Sequence, residues 1–108
     1  MARRIILRRE VPDDLHSITR YLEERSTATA DRFIDAVFAA FNDLAQMPGK
    51  GSPKRLRIRR PEGIRSWWVP GFRKYLIFYH FTDEAIVILA VQHGSRNIRA
   101  LLRKRLSA

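Results

Sequence analysis

The chain has 108 residues, a formal net charge of +10, 45% hydrophobic residues and no cysteine. A chain this short supports one small core, so we predict a single domain over residues 1–108. The lack of cysteine excludes a disulfide scaffold and thiolate metal sites. No apolar run approaches the roughly 20 residues that a bilayer crossing needs, so we expect a cytoplasmic protein without membrane contact.

The charge is unevenly distributed along the chain. Residues 10–47 hold eight acids against three arginines, whereas the residues from position 48 onward hold 14 Lys or Arg against three acids. A field of one sign attracts polyanions, which makes nucleic acid or an acidic protein the candidate partner. The alternative, that the charge only keeps the protein soluble, does not account for its clustering in the second half.

The first half of the chain predicts one strand and two helices. Residues 4–9 are branched and apolar at their centre and favour a strand. Pro12 suits the first turn of a helix that ends near Arg25, and its apolar residues recur every three or four positions. Ser26 or Thr27 can cap a second helix that ends at Met47. Only about two or three residues would then connect the two helices, and so short a connection predicts an antiparallel hairpin.

The second half predicts strands and a final helix. Residues 48–61 indicate a long basic loop, with a short extended stretch around Leu56 and Ile58. Alternating apolar residues predict strands at 64–69, 75–81 and 86–92, with a turn at Pro70 and Gly71. Asn97 can cap a helix over residues 98–106. The order βααβββα describes an α+β domain with the helical hairpin packed on a twisted antiparallel sheet.

Few residues indicate catalysis. His16, His80 and His93 are far apart and lack neighbouring acids at ligand spacing, so we expect no metal site. The sequence has no glycine-rich phosphate loop, and its serines lack the surroundings of a hydrolase nucleophile. From these motifs we therefore predict no cofactor and no catalytic residue.

Cations interleaved with aromatic residues are the main functional signal. Arginine binds phosphates and carboxylates and stacks on rings, so this mixture suits nucleic acid or an acidic peptide. Either Trp67 or Trp68 is expected in the core. Tyr79 is either a contact residue or a core residue with its hydroxyl bonded, and His80 is either functional or an ordinary surface residue.

Four short segments, in this order and spacing, resemble the ParE toxins of bacterial toxin-antitoxin systems. They are Ala30-Asp31-Arg32-Phe33-Ile34, Gly63-Ile64-Arg65-Ser66, Tyr75-Leu76-Ile77-Phe78-Tyr79 and Val91-Gln92-His93-Gly94-Ser95-Arg96. The resemblance extends from Ile5 to Leu102. It implies the ParE/RelE fold, which agrees with the architecture predicted from periodicity.

The resemblance also implies partners. ParE-like proteins inhibit DNA gyrase and are silenced by a ParD-type antitoxin, so operator DNA is expected to be bound only through the antitoxin complex. We predict target-binding residues at Arg65, Arg73 and Arg96, because they lie on or beside neighbouring strands. The predicted antitoxin contacts are Arg57, Arg59, Trp67, Tyr75 and Tyr79.

Three alternatives remain open. RelE-like relatives cleave messenger RNA on the ribosome, and here Arg65, His93 and Arg96 would form that site. Residues 97–108 contain no Tyr, His, Trp or Phe, however, so the terminal acid or base of the ribonucleases is missing. The chain could also be a toxin-fold protein that has lost toxicity or changed target. The last alternative is a stand-alone nucleic-acid-binding module, which would bind RNA or DNA without a protein target.

Overall fold

A computed structural model of the protein describes residues 2–58 and 63–107. Its elements in chain order are β1 (Arg4–Leu7), α1 (Val11–Glu23), α2 (Thr27–Gln46), a 3-10 turn (Pro48–Lys50), β2 (Ser52–Lys54), β3 (Ile64–Val69), β4 (Phe72–Phe81), β5 (Ala85–His93) and α3 (Ile98–Leu106). The predicted α+β class and the order βααβββα are confirmed, and the short strand β2 is an addition to them.

The helices begin where their capping residues predicted. Pro12 lies in the first turn of α1. The Ser26 hydroxyl accepts a hydrogen bond from the Thr29 amide at 3.2 Å and caps α2. The Asn97 side chain accepts one from the Ala100 amide at 3.1 Å and caps α3. Each cap satisfies an amide that the first helical turn leaves unpaired.

Five strands form one sheet in the order β1-β5-β4-β3-β2. The predicted meander β3-β4-β5 is antiparallel, but β1 pairs with β5 in parallel, so the sheet is mixed. The parallel pair arises because the helical hairpin lies between β1 and the remaining strands in the chain. Only the first half of β5, residues 85–88, is covered by β1.

The sheet has a hydrophobic cluster on each face. The helical hairpin covers one face, where Phe33, Val37 and Phe41 of α2 are buried against Ile77 and Ile86. Helix α3 covers the other face, and its side chains pack with buried residues of β3, β4 and β5, which are Ile64, Phe78, Leu89 and Ala90. The side chain of Leu102 is fully buried there. Because successive side chains of a strand point to opposite faces, the same strands contribute apolar residues to both clusters.

Two predicted boundaries in the second half are wrong. The extended stretch expected around Leu56 and Ile58 is not a strand. The strand lies earlier, at Ser52–Lys54, and both apolar side chains instead pack against the cluster under α3. Strand β4 begins at Phe72 rather than Tyr75, because the Pro70-Gly71 turn leads directly into it. Gly71 supplies the positive φ of +81° that such a turn requires.

Tyr79 fastens the 3-10 turn to the sheet. Its side chain is fully buried; the hydroxyl donates to the Pro48 carbonyl at 2.6 Å and accepts from the Gly51 amide at 2.9 Å. Burial is the largest cause that raises the pKa of Tyr79, so the hydroxyl stays protonated and able to donate at neutral pH. Arg65 donates to the Gly51 carbonyl at 2.6 Å. The predicted antitoxin contact at Tyr79 is corrected, since this side chain has no free surface.

Gly51→Ala is expected to destabilise the protein. A Cβ atom at this position would lie 2.3 Å from the Tyr79 hydroxyl oxygen and 2.8 Å from the Ser66 carbonyl oxygen. Overpacking of this kind typically costs about 1 to 3 kcal/mol in the free energy of unfolding, measurable by urea denaturation. Gly49→Ala is the control, because nothing lies within 4 Å of its Cβ position. Equal stability of the two variants would contradict the prediction.

Candidate partner-binding site

A cavity of about 590 Å³ opens between α1, the start of β4, the end of β5, and Leu101 and Arg105 of α3. Its lining combines cations, aromatic rings and a polar floor. The residues are Asp14, Ser17, Ile18, Tyr21, Leu22, Arg25, Lys74, Tyr75, Gln92, His93, Arg96, Leu101 and Arg105. A neighbouring cleft of about 660 Å³ shares Arg96, Leu101 and Arg105 with it and extends toward Arg9. The volume of the first cavity lies in the range of ordinary binding pockets.

The floor of the cavity is a buried polar cluster around Asp14. The Asp14 carboxylate accepts hydrogen bonds from the Val91 amide at 3.1 Å and the Gln92 amide group at 2.8 Å. It also pairs with both terminal nitrogens of Arg105, at 2.8 and 2.5 Å. The hydrogen bond to Asp14 is the largest cause that raises the pKa of Arg105. The two charges of the floor therefore offset one another.

The same cluster closes the uncovered half of β5. Strand β1 ends its pairing at Ile88, so the outward backbone groups of the following residues need other partners. Asp14 supplies the acceptor for the Val91 amide, and Arg105 donates to the Leu89 carbonyl at 3.1 Å. Side chains of α1 and α3 thus replace the strand that is missing there.

The rim of the cavity carries three exposed cations: Arg25, Lys74 and Arg96. None of them forms an ion pair with a residue that the structure describes. Arg25 lies over the Tyr21 ring, 4.8 Å from its centroid, and this ring is 47% exposed. Because the floor is neutral as a pair, the rim gives the cavity a positive potential that favours an anionic partner.

The wall of the cavity is aromatic. The Tyr75 ring packs edge-on against His93, with centroids 5.2 Å apart, and against Phe33 at the same distance. Burial is the largest cause that raises the pKa of Tyr75, so its hydroxyl is neutral near pH 7. The wall is therefore an apolar surface with hydroxyl groups for hydrogen bonding.

His93 is fixed by the residue two positions after it. Its Nδ1 atom accepts a hydrogen bond from the Ser95 amide at 3.0 Å and lies 2.8 Å from the Ser95 hydroxyl oxygen. A ring that accepts at Nδ1 carries the proton of its neutral form on Nε2, by assignment from this bond. His93 can thus donate from Nε2 to a bound group.

The structure does not bring the conditional ribonuclease residues together. Arg65 lies opposite Tyr79 of β4, whereas His93 lies opposite Tyr75 of the same strand. These two positions of β4 are four residues apart, which corresponds to roughly 13 Å along the strand. Arg65 and His93 also lie on β3 and β5, with β4 between them. Arg65 donates to the carbonyls of Gly49 and Gly51, so it holds the 3-10 turn. Arg96 and His93 do share the cavity.

The other predicted site residues are divided between two regions. Tyr75 belongs to the cavity, while Trp67 lies on β3 and Arg73 on β4, where Arg73 stacks on Trp68. Arg57 is exposed beyond β2, and Arg59 lies outside the described residues. Arg65, Arg73 and Arg96 do not form the single cluster that we predicted. Arg65 lies opposite Tyr79, which is six residues, or roughly 20 Å, along β4 from Arg73.

Sequence reasoning missed the contribution to the cavity of α1 and of Arg25, which follows it. Tyr21 and Arg25 lie in the acidic half of the chain, where the charge pattern does not indicate a site for an anionic partner. The signal that could have found them is helical spacing, since Ser17, Tyr21 and Arg25 recur every four residues and share a face with Ile18. Lys74 was missed because it is one of many cations in the second half.

Neither a membrane-spanning helix nor a metal cluster is found in the described residues, 2–58 and 63–107. Within these ranges, none of the helices is long and apolar enough to span a membrane. The same ranges contain no group of three or more His, Asp and Glu residues placed to hold a metal ion.

The chain is a small α+β domain with a basic, aromatic cavity, and comparison with known proteins gives its family. The family model for the ParE toxin of the type II toxin-antitoxin system parDE matches residues 5–98. The chain therefore belongs to the ParE toxin family.

Individual relatives are toxins named ParE2 and RelE3. Toxin ParE2 of Mycobacterium tuberculosis is 33% identical over 105 residues, which cover 94% of this chain and 90% of the relative. Toxin RelE3 of Caulobacter vibrioides is 29% identical over 82 residues, covering 75% of this chain and 83% of the relative.

A solved structure has the same fold. A chain from the chromosomal ParDE toxin-antitoxin system of P. aeruginosa matches with a TM-score of 0.62 at 15% identity. The match covers 85% of this chain and 96% of that chain.

Proposed function

We propose that this ParE-family toxin inhibits DNA gyrase in the cytoplasm and is neutralised by a ParD-like antitoxin. The observation that carries the proposal is the separation of Arg65 from His93 and Arg96. Cleavage of RNA requires a base, an acid and charge-stabilising groups within reach of one phosphate. The cavity instead gathers cations and rings that suit binding.

The cavity fits an acidic, amphipathic segment of the antitoxin. Arg25, Lys74 and Arg96 would attract its carboxylates, while Tyr21 and Leu101 would contact its apolar side chains. Charge of this kind sets the association rate, and apolar burial sets the lifetime of the complex. Tyr75 stays a proposed antitoxin contact, since it lines this cavity. Arg73 and Arg96 stay proposed contacts of the toxin with its target.

Messenger RNA cleavage is the second candidate, and the similarity to a toxin named RelE3 favours it. His93 would then act as acid or base, with Arg96 beside it to stabilise negative charge on the phosphate. One histidine would have to serve both proton transfers. Loss of a single such group typically costs about 10² to 10⁴ in rate, so a site lacking one is expected to be slow.

A pair of cleavage assays tests the proposal. Purified toxin should cause gyrase-dependent accumulation of cleaved plasmid, while messenger RNA on translating ribosomes stays intact. His93→Ala should retain plasmid cleavage within about twofold, whereas a ribonuclease would lose about 10² to 10⁴ in rate. Reactions without gyrase and reactions with excess ParD-like antitoxin are the controls.

Codon-positioned cleavage of messenger RNA that disappears in His93→Ala would replace the gyrase proposal with the ribonuclease. Equal melting temperatures of the wild type and the variant would exclude loss of the fold as the reason for any difference.

A further inference from the structure

The outer edge of the sheet is open beyond Ser52, where β2 begins. Strand β2 pairs with β3 only over residues 64–66, with Ser52 opposite Ser66, so no strand among the described residues pairs with the rest of β3 on that side. Trp67 and Trp68 occupy the open part. The β3–β4 register shifts between Trp68 and Val69, which breaks the regular alternation of side chains there.

The two tryptophan rings form a stack with a cation at each end. Their centroids are 4.2 Å apart and their planes differ by 18°. The Lys50 ammonium lies 4.7 Å from the centroid of Trp67, and the Arg73 guanidinium lies 5.0 Å from that of Trp68. We name these four residues the tryptophan edge. Trp68 is 37% exposed, and both cations are exposed.

The surroundings of the tryptophan edge are positively charged. Lys54, Arg55 and Arg57 are exposed and lie further along this edge, where Lys54 pairs with Ile64, three residues of strand before Trp67. The described residues between positions 48 and 75 contain no Asp or Glu. None of these three cations forms an ion pair with another described residue. The edge therefore combines exposed aromatic area with cations that are available to phosphates.

We propose that the tryptophan edge binds single-stranded nucleic acid. Unpaired bases expose flat faces that stack on aromatic side chains, and the phosphates between them pair with neighbouring cations. A base stacks on an aromatic ring more strongly than an exposed cation binds over one. A base can thus displace Arg73 from Trp68, and the freed guanidinium can bind a phosphate.

Neither a duplex nor an acidic peptide fits the edge as well. The bases of a duplex are already stacked, so the rings would gain little from it. A peptide carboxylate would use the cations, but it has no flat ring to take the place of Arg73 on the face of Trp68. The predicted antitoxin contacts at Trp67 and Arg57 therefore become the alternative that the experiment must distinguish.

The inference is independent of gyrase being the target. The toxin could fail to inhibit gyrase and still bind an unpaired strand at this edge, or the reverse. The plasmid assay reads gyrase inhibition, whereas direct titration with an oligonucleotide reads the tryptophan edge. DNA and RNA offer the same bases and phosphates, so both are used as probes.

The test is titration of the full chain with fluorescein-labelled dT12 and rU12, followed by anisotropy. Trp68→Ala should raise the dissociation constant about 5-fold to 150-fold, and Trp68→Tyr should restore most of the binding because it keeps a ring. The control Phe38→Ala removes another exposed ring, on α2, and should leave binding unchanged. Arg73→Gln should weaken binding and lower the salt slope by about 0.7, unlike Arg32→Gln on α2.

Several results would overturn the proposal. One is binding of both oligonucleotides that is the same in the wild type, Trp68→Ala and Arg73→Gln. Another is weaker antitoxin binding by Trp68→Ala with unchanged oligonucleotide binding, which would assign the edge to a protein partner. If Trp68→Ala does not fold, Arg73→Gln compared with Arg32→Gln decides the matter, and equal binding by these two variants would overturn the proposal. A preference for dT12 or rU12 that depends on Trp68 would support the proposal and identify the source of the strand.

Discussion

Asp14→Ala is expected to lower the free energy of unfolding by about 3 to 5 kcal/mol, the usual cost of removing one partner of a buried ion pair. The substitution leaves Arg105 without its carboxylate, although its side chain is only 13% exposed. It also leaves the Val91 amide and the Gln92 side chain without their acceptor. A domain of this size has about 5 to 15 kcal/mol of stability, so the loss is a large fraction of it.

Urea denaturation measures this loss, and Asp13→Ala is the matched control. Asp13 is the preceding residue in the same helical turn but is exposed. Its replacement should cost less than about 1 kcal/mol, as is usual for a surface charge. The double variant Asp14→Ala/Arg105→Ala should be less damaging than the sum of the single variants, because it no longer leaves a charge unpaired. A cost below about 1 kcal/mol for Asp14→Ala would mean that the pair does not hold α3.

Local sequence patterns were sufficient to predict the helices and the longer strands of this fold. Caps and spacing identify all three helices, because the Ser26 and Asn97 caps act on amides three residues away. Alternation and the Pro70-Gly71 turn identify the meander. Strand β2 has only three residues, one of them proline, so it carries no periodic signal. Its position depends on Tyr79, which is distant in the chain.

Long-range contacts explain what the sequence could not predict of the site. Asp14 has an ordinary local role in the first turn of α1, where acids are favourable. Its decisive partners are Val91 and Arg105, which lie 77 and 91 residues further along the chain. Similarly, Arg65 and Arg96 belong to the same basic half of the sequence, but the strand register places them at different sites.

The distribution of charge along the chain predicts an anionic partner but does not predict where the cations meet. The basic half supplies Lys74 and Arg96 to the cavity, but Arg25 comes from the acidic half. Folding brings these three cations together because α1 lies beside the end of β5. Net charge by segment therefore indicates an anionic partner without indicating which surface binds it.

Arg25→Glu/Arg96→Glu is expected to raise the dissociation constant for a ParD-like antitoxin about 100-fold. Each reversal replaces an attraction at the rim by a repulsion, and about 1.4 kcal/mol at each position corresponds to a factor of ten. The melting temperature of the free toxin should change little, since both side chains are exposed. Binding kinetics at physiological salt should show most of the effect in the association rate.

The matched control for this prediction is Arg20→Glu/Arg103→Glu. This variant makes the same change in net charge as the cavity variant does. Its two residues, Arg20 on α1 and Arg103 on α3, are exposed and lie outside the cavity. If the antitoxin docks in the cavity, the control should weaken binding far less than the cavity variant does. Equal weakening by the two variants would show that the antitoxin responds to overall charge, and the proposed docking site would then be wrong. At about 0.5 M salt, where exposed charges are screened, the wild-type complex should persist through its apolar contacts with Tyr21 and Leu101.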